Sequence, residues 1–231
     1  MAAAQGFFVT GTGTEVGKTV VAAVLAQNLR QKGSTVAVFK PAVTGLDEPG
    51  ETDHALLRRA AGSAQSDDEI APYRYGPPAS PHLAAAQARE EIDPERLRNA
   101  ARTAAAGAEC IVCEGVGGLL VPLAWRVCSG MRNKLARPYL VRDLAVDLGL
   151  PLVIAASPGL GTINHTLLTL ESARAAGLSL AAVVLTPWPE EPSAIERSNQ
   201  ETIEGLGDVP VQTLRQLDLS EPESWPELEI D

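Results

Sequence analysis

A chain of 231 residues, 45% of them hydrophobic, is long enough for one domain with a substantial core, and residues 1–231 read as a single domain. A formal net charge of −10 argues against nucleic acid and anionic membrane as main partners, but not against a small anionic substrate, because the local charge of a cleft can oppose the global sign. Met1 to Gln5 has no basic region followed by an apolar one, and no apolar run is long enough to cross a bilayer, so the chain is expected to be cytoplasmic.

Strand and helix patterns alternate along the chain. Phe7-Phe8-Val9-Thr10 is a short apolar run ending in a Gly/Thr loop, and residues 19–31 repeat apolar side chains at helical spacing up to Gly33. Residues 35–39 form a second strand, and 53–61 a helix stopped by Gly62. Asp93-Pro94 is an N-cap followed by proline at the first helical position, opening a helix to about Ala106. Strands follow at 109–113, 151–156 and 180–185, with helices over 162–176 and 193–204. The acidic tail, 218–231, is expected to be loosely ordered. Apolar strands each followed by a helix imply an α/β fold, a doubly wound, mostly parallel sheet covered on both faces. Ligands of such sheets sit beyond the carboxyl ends of the strands, so the chemistry belongs just after Thr10, Phe39, Cys113, Ala156 and Leu185.

Of the three cysteines, Cys110 and Cys113 form a C-x-x-C pair within a strand, where residues three apart face opposite ways, so both read as buried thiols; Cys128 stands alone. His54, His82 and His165 have no metal-ligand spacing.

The first strand runs into Gly11-Thr12-Gly13-Thr14-Glu15-Val16-Gly17-Lys18-Thr19, and a helix follows. Strand, glycine-rich loop and helix together make a phosphate-binding loop of the P-loop nucleotide-binding type. Successive backbone N–H groups wrap phosphate oxygens, and the helix N-terminus adds positive potential. Lys18 brings a cation to the β- and γ-phosphates, and the Thr19 hydroxyl is a hard oxygen ligand for Mg²⁺. Five residues separate Gly11 from Gly17, one more than the standard spacing.

The other strand ends carry further polar groups. Lys40 follows Phe39 directly and is either aimed into the ligand crevice or solvated at the surface. Asp53 is either a helix N-cap or a metal carboxylate. Glu114 ends an apolar strand, where a P-loop enzyme holds Mg²⁺, and Gly115, Gly117 and Gly118 after it allow backbone to approach a ligand. The stretch from Ser157 to His165 leads into a helix whose free N–H groups form a second anion site.

Together, Val9 to Thr19, Lys40-Pro41-Ala42-Val43-Thr44-Gly45, Asp53, Ser80-Pro81-His82, Glu114 to Gly118 and Gly161-Thr162-Ile163-Asn164-His165 resemble the dethiobiotin synthetase family through about residue 190. The resemblance implies an ATP- and Mg²⁺-dependent ligase of biotin biosynthesis. In that reaction 7,8-diaminopelargonate and CO₂ give a carbamate, ATP phosphorylates it, and the second amine closes the cyclic urea. Carried over residue by residue, Lys18 and Lys40 are catalytic, and Thr19, Asp53 and Glu114 hold Mg²⁺. Thr14, Glu15, Val16, Gly17, Lys18, Thr19, Val20, Asp53, Glu114, Gly115, Val116, Gly117, Thr186 and Pro187 contact nucleotide. Lys40, Thr44, Gly117, Thr162 and Asn164 contact substrate, the last two across the two-fold interface of a homodimer with shared sites. Where the family usually has Asn after the fifth strand to read the adenine edge, this chain has Thr186-Pro187, so the family's base contact is not carried over. Residues 124–141 are longer than the family's segment and include Arg126, Arg132, Lys134 and Arg137, read either as a solvated basic loop or as a lid or interface segment. The alternative function is a nucleotide-switched partitioning or positioning ATPase of the deviant P-loop class. Such ATPases carry a second lysine at the start of the loop, where this chain has Gly11 and Thr12.

Overall fold

The computed structural model describes residues 5–126 and 137–230. In chain order the elements are β1 (Gln5–Gly11), α1 (Lys18–Gln31), β2 (Val36–Phe39), α2 (Asp53–Ala61), α3 (Asp67–Ile70), α4 (Pro81–Gln87) and α5 (Pro94–Ala106). There follow β3 (Cys110–Gly118), β4 (Pro122–Arg126), β5 (Arg137–Leu140), α6 (Val141–Leu148), β6 (Leu152–Ala156), α7 (Thr162–Ala175), β7 (Leu180–Trp188), α8 (Ala194–Gly207) and β8 (Val211–Arg215). Six strands form one parallel sheet in the order β2-β3-β1-β6-β7-β8, while β4 and β5 pair as a separate antiparallel ribbon.

Residues alternate between the two faces of each strand, and two hydrophobic clusters result. Phe7, Val9, Val112, Val153 and Val184 pack against α1, α2 and the C-terminal tail. Phe8, Phe39, Cys113, Ile154 and Val183 pack on the other side with residues of α5, α6, α7 and α8. The two thiols of the C-x-x-C pair are thereby divided, Cys110 in one cluster and Cys113 in the other, and burial pushes the Cys113 thiol well above the ordinary range.

The chain leaves β1 for β2 on one side and resumes at β6 on the other, so the crevice for a ligand opens beyond the carboxyl end of β1. Local signals set the element ends. The Asp93 carboxylate accepts from the Glu95 N–H at 2.8 Å with Pro94 inside the first turn, and Gly62 ends α2 at φ 59°. Gln65 mimics a neighbouring strand at the sheet edge: its side chain accepts from Val38 N–H at 2.8 Å and donates to Val38 C=O at 3.1 Å.

Several expectations are corrected. The strand at 109–113 continues through the glycines to Gly118, because Gly118 comes into register with Gly11. The strand at 180–185 runs on through Thr186 and Pro187 to Trp188, with an irregularity in its pairing to β8. The tail is not loose over 218–230: Trp225 and Leu228 are buried in the α1 cluster, and the Trp225 indole donates to Asp218 C=O at 2.8 Å. Residues 124–126 and 137–140 belong to the ribbon, and Cys128, Arg132 and Lys134 lie outside the described residues. No helix among the described residues is long and apolar enough to cross a membrane.

Candidate functional site

The loop between β1 and α1 turns on two left-handed residues, Glu15 at φ 58° and Gly17 at φ 81°, before α1 begins at Lys18. With Gly17 as its N-cap α1 has no side-chain cap, so its first-turn N–H groups are left without a capping side chain. Lys18 folds back across the loop and donates to Gly13 C=O at 2.7 Å. That contact is set by a carbonyl, which no side-chain pattern reveals.

Three other elements bring polar groups to the same point. Thr19, one residue into α1, has its hydroxyl oxygen 3.1 Å from Asp53 Oδ1 and 2.9 Å from Glu114 Oε1. Lys40, just past β2, places Nζ 2.6 Å from Asp53 Oδ2 and 2.6 Å from Glu114 Oε1. Asp53 opens α2 at its first position, while the residue before it, Thr52, is the N-cap, so Asp53 is not the cap and its carboxylate instead meets Thr19 and Lys40. Lys40 is buried rather than solvated, and Glu114 is wholly buried.

The electrostatics follow from this packing. Burial works to lower Lys40, but the Glu114 and Asp53 carboxylates outweigh it and hold the ammonium above the usual lysine range. Burial works to raise Asp53, and Lys40 together with the Thr19 hydroxyl brings it below the ordinary carboxylate range. Complete burial pushes Glu114 up against the pull of Lys40, and the neighbouring Asp53 charge adds to the push. Lys18 is lowered, first by burial and then by Lys40, over the attraction of Glu114. The short contacts support an ammonium at Lys40 and a carboxylate at Asp53.

Thr14, Glu15, Gly17, Lys18, Thr19, Val20, Lys40, Thr44, Asp53, Glu114, Val116 and Gly117 all line one cleft of about 470 Å³, so most of the residues singled out in the sequence meet there. Ala42, which the sequence did not single out, lines it as well. A larger depression of about 650 Å³ lies between the α1, α2 and α5 ends and the start of β2, but it contains none of these groups. The chemistry selects the smaller cleft.

Other expected contacts are placed differently. Gly115 serves packing: a Cβ there would lie 2.9 Å from Val141 Cγ1 and 3.2 Å from Phe8 Cε1. Val16 sits behind the loop, its Cγ2 2.6 Å from where a Gly11 Cβ would stand. Thr186 is buried against Gly17, and Pro187 next to it is exposed. Thr162 and Asn164 lie outside the cleft of their own chain. The Thr162 hydroxyl is buried 3.4 Å from that of Thr166, and Asn164 is exposed on the first turn of α7.

The oxygens of Thr19, Asp53 and Glu114 are the hard donors a Mg²⁺ ion takes, and nucleotide phosphates and water complete such a shell. Glu114 Oε2 is buried with no hydrogen-bond partner among the described residues, which fits a group that has a further ligand to hold.

Comparison with known proteins agrees with this geometry. A family model described as an AAA domain matches residues 5–214. The chain is 39% identical over 206 residues to the ATP-dependent dethiobiotin synthetase BioD of Rhodococcus erythropolis, covering 89% of this chain and 85% of that protein. It is 35% identical over 208 residues to the protein of the same name from Bacillus subtilis, covering 90% and 85%. A ParA family ATPase from Chlorobium tepidum superposes with a TM-score of 0.55 at 15% identity over 93% of this chain and 85% of that one, a likeness of fold alone. On the extent and level of this identity, the chain belongs to the ATP-dependent dethiobiotin synthetase family.

Proposed function

We propose that this protein is a ligase of biotin biosynthesis that carboxylates 7,8-diaminopelargonate with CO₂ and closes the cyclic urea of dethiobiotin at the expense of ATP. The observation that carries the proposal is the meeting of Thr19, Lys40, Asp53 and Glu114 within hydrogen-bond distance of one another beside the phosphate loop. A nucleotide loop alone would serve many reactions. A buried lysine next to the metal carboxylates serves one in which a second anion must be brought up to the γ-phosphoryl group.

The chemistry then divides among the residues. One amine of the substrate adds to CO₂, loses a proton and becomes a carbamate. A carbamate oxygen attacks the γ-phosphorus and ADP leaves, giving a carbamic–phosphoric anhydride. The second amine attacks the carbamoyl carbon, expels phosphate and gives up its proton as the ring closes. The loop N–H groups and Lys18 bind the β- and γ-phosphates, and Lys40 offsets the charge of the carbamate and γ-phosphoryl oxygens as they approach. Thr19, Asp53 and Glu114 would hold Mg²⁺, which supplies charge neutralisation on the phosphate oxygens. Thr44 and Gly117, on the wall of the cleft, are assigned to the diamine.

We also assign a homodimer with shared sites. Support comes from the start of α7, where the exposed Asn164 lies between Leu160, 93% exposed, and Leu168, 55% exposed, in the chain. An apolar surface flanking a polar recognition residue suits a partner subunit better than water.

Purified protein given the diamine, bicarbonate and Mg·ATP should form dethiobiotin with one ADP per product. ATP hydrolysis indifferent to the diamine, with no cyclic urea formed, would overturn the proposal.

A further inference from the structure

We infer that Lys40 is an internal competitor for the divalent cation: its ammonium holds the Asp53–Glu114 carboxylate pair that the metal would take, and metal entry releases it toward the substrate side of the cleft. The inference rests on the Mg²⁺ reading of the cleft and concerns how that site is loaded.

The geometry defines one cation position. Lys40 Nζ lies 2.6 Å from both Asp53 Oδ2 and Glu114 Oε1, and the Thr19 hydroxyl borders the same two carboxylates at 3.1 and 2.9 Å. Two of the three residues assigned to the metal, Asp53 and Glu114, thus hold the ammonium, and the third, Thr19, meets both of their carboxylates. Mg²⁺ draws its oxygens in to about 2.0–2.1 Å and demands near-octahedral geometry. An ammonium bound to Glu114 Oε1 and a divalent ion bound to the same atom would repel across a few ångströms in a buried site, so one must yield. Glu114 Oε2, buried and without a partner among the described residues, would add a second oxygen of the same carboxylate to the metal beside Oε1.

The lysine is the group free to move. Its main chain is fixed, because Lys40 N–H donates to Ile70 C=O at 2.8 Å. Its side chain is a flexible four-carbon stem. Thr44, assigned to the diamine, lines the same cleft, so an ammonium expelled from the carboxylates would swing toward it to meet the carbamate. Metal loading would then deliver the lysine to its substrate, and charge at the carboxylates would stay offset throughout.

The probe is Mn²⁺ without nucleotide, its binding read by electron paramagnetic resonance on the full chain. Lys40→Met should bind Mn²⁺ about tenfold more tightly than the unaltered protein, a difference of about 1.4 kcal/mol. Equal or weaker binding by that variant, with Asp53→Asn still weakening binding, overturns the competition and leaves the metal reading standing. Mn²⁺ binding that Asp53→Asn does not change overturns both. Because Lys40→Met strips the buried Glu114 of its cation and is liable to unfold, a second measurement uses the unaltered chain. Saturating Mg²⁺ should raise the rate of reductive methylation of Lys40 several-fold, read by mass spectrometry against the exposed Lys32. A Lys40 rate that Mg²⁺ leaves unchanged overturns the inference.

Discussion

Thr186 closes against the back of Gly17: a Cβ on Gly17 would lie 2.6 Å from Thr186 Cγ2, and Gly17 itself holds φ at 81°. The end of β7 therefore sets how near the last peptide of the phosphate loop can lie to the sheet. Gly17→Ala meets two penalties, a left-handed backbone and a clash, together about 1–3 kcal/mol. Nucleotide affinity measured by calorimetry should fall about tenfold to a hundredfold. Adding Thr186→Ser removes the offending methyl and should recover part of the loss. Full recovery would show that the backbone conformation counts for nothing, and no recovery that the contact does.

Lys40→Ala removes one preorganised charge from the reaction and should lower turnover by about 10²–10³. Because Lys18 and the loop amides remain, binding of nucleotide without metal should change little. A ring-closure assay returning the unaltered rate would remove Lys40 from the mechanism.

The sequence made the site legible wherever the signal was local. Gly11 to Thr19, Lys40 and Asp53 each sit where a strand or loop hands over to the next element, and the parallel-sheet rule points to those ends. That Thr19 touches Glu114 was not legible as a contact, since 95 positions separate them and only the register of β3 beside β1 brings them together. The packing around Gly115 was not legible either: the space a Cβ would take there is filled by Val141 and Phe8. The strand β8 escaped notice because Val211-Gln212-Thr213-Leu214-Arg215 is an edge strand with only Val211 and Leu214 buried. The short helices α3 and α4 and the helix α6 fell below the length at which helical periodicity stands out.

The acidic, proline-containing tail gave a composition suited to disorder, but two side chains decide otherwise. Trp225 is 5% exposed in the α1 cluster, and the Asn28 side chain accepts from Leu228 N–H at 2.9 Å. Trp225→Ala should cost about 3–5 kcal/mol, as for other buried aromatic truncations. Urea denaturation would show the midpoint fall. A midpoint unchanged within error would return the tail to the status of a loose appendage.

Glu109 links the starts of β2 and β3 through Thr35, whose N–H and hydroxyl donate to Glu109 Oε2 at 2.8 and 3.1 Å. The backbone bond first, then the hydroxyl, holds this carboxyl below the ordinary glutamate value. A carboxyl lowered in the folded state stabilises the fold above its unfolded value, and that contribution is lost as pH falls through the lowered one. Stability should therefore decline on acidification below the ordinary glutamate range, and Glu109→Gln should flatten that decline. Equal slopes for both proteins in pH-dependent denaturation would dismiss the link.

The α7 surface offers a test of the shared site that separates assembly from chemistry. Asn164 and Leu168 are four residues apart on α7 and so share a helix face, with Leu160 in the turn just before. If a second subunit covers this face, Leu168→Asp buries an unpaired carboxylate in the interface and should weaken association about a hundredfold or more. Sedimentation would then find monomer where the unaltered protein is dimeric. Asn164→Ala, which removes a polar contact and leaves the apolar surface intact, should keep the dimer and raise the KM for the diamine without changing nucleotide affinity. A protein that stays dimeric with Asp at 168, and whose diamine KM ignores residue 164, uses another face, because on this chain alone Asn164 lies outside the cleft assigned to the phosphates.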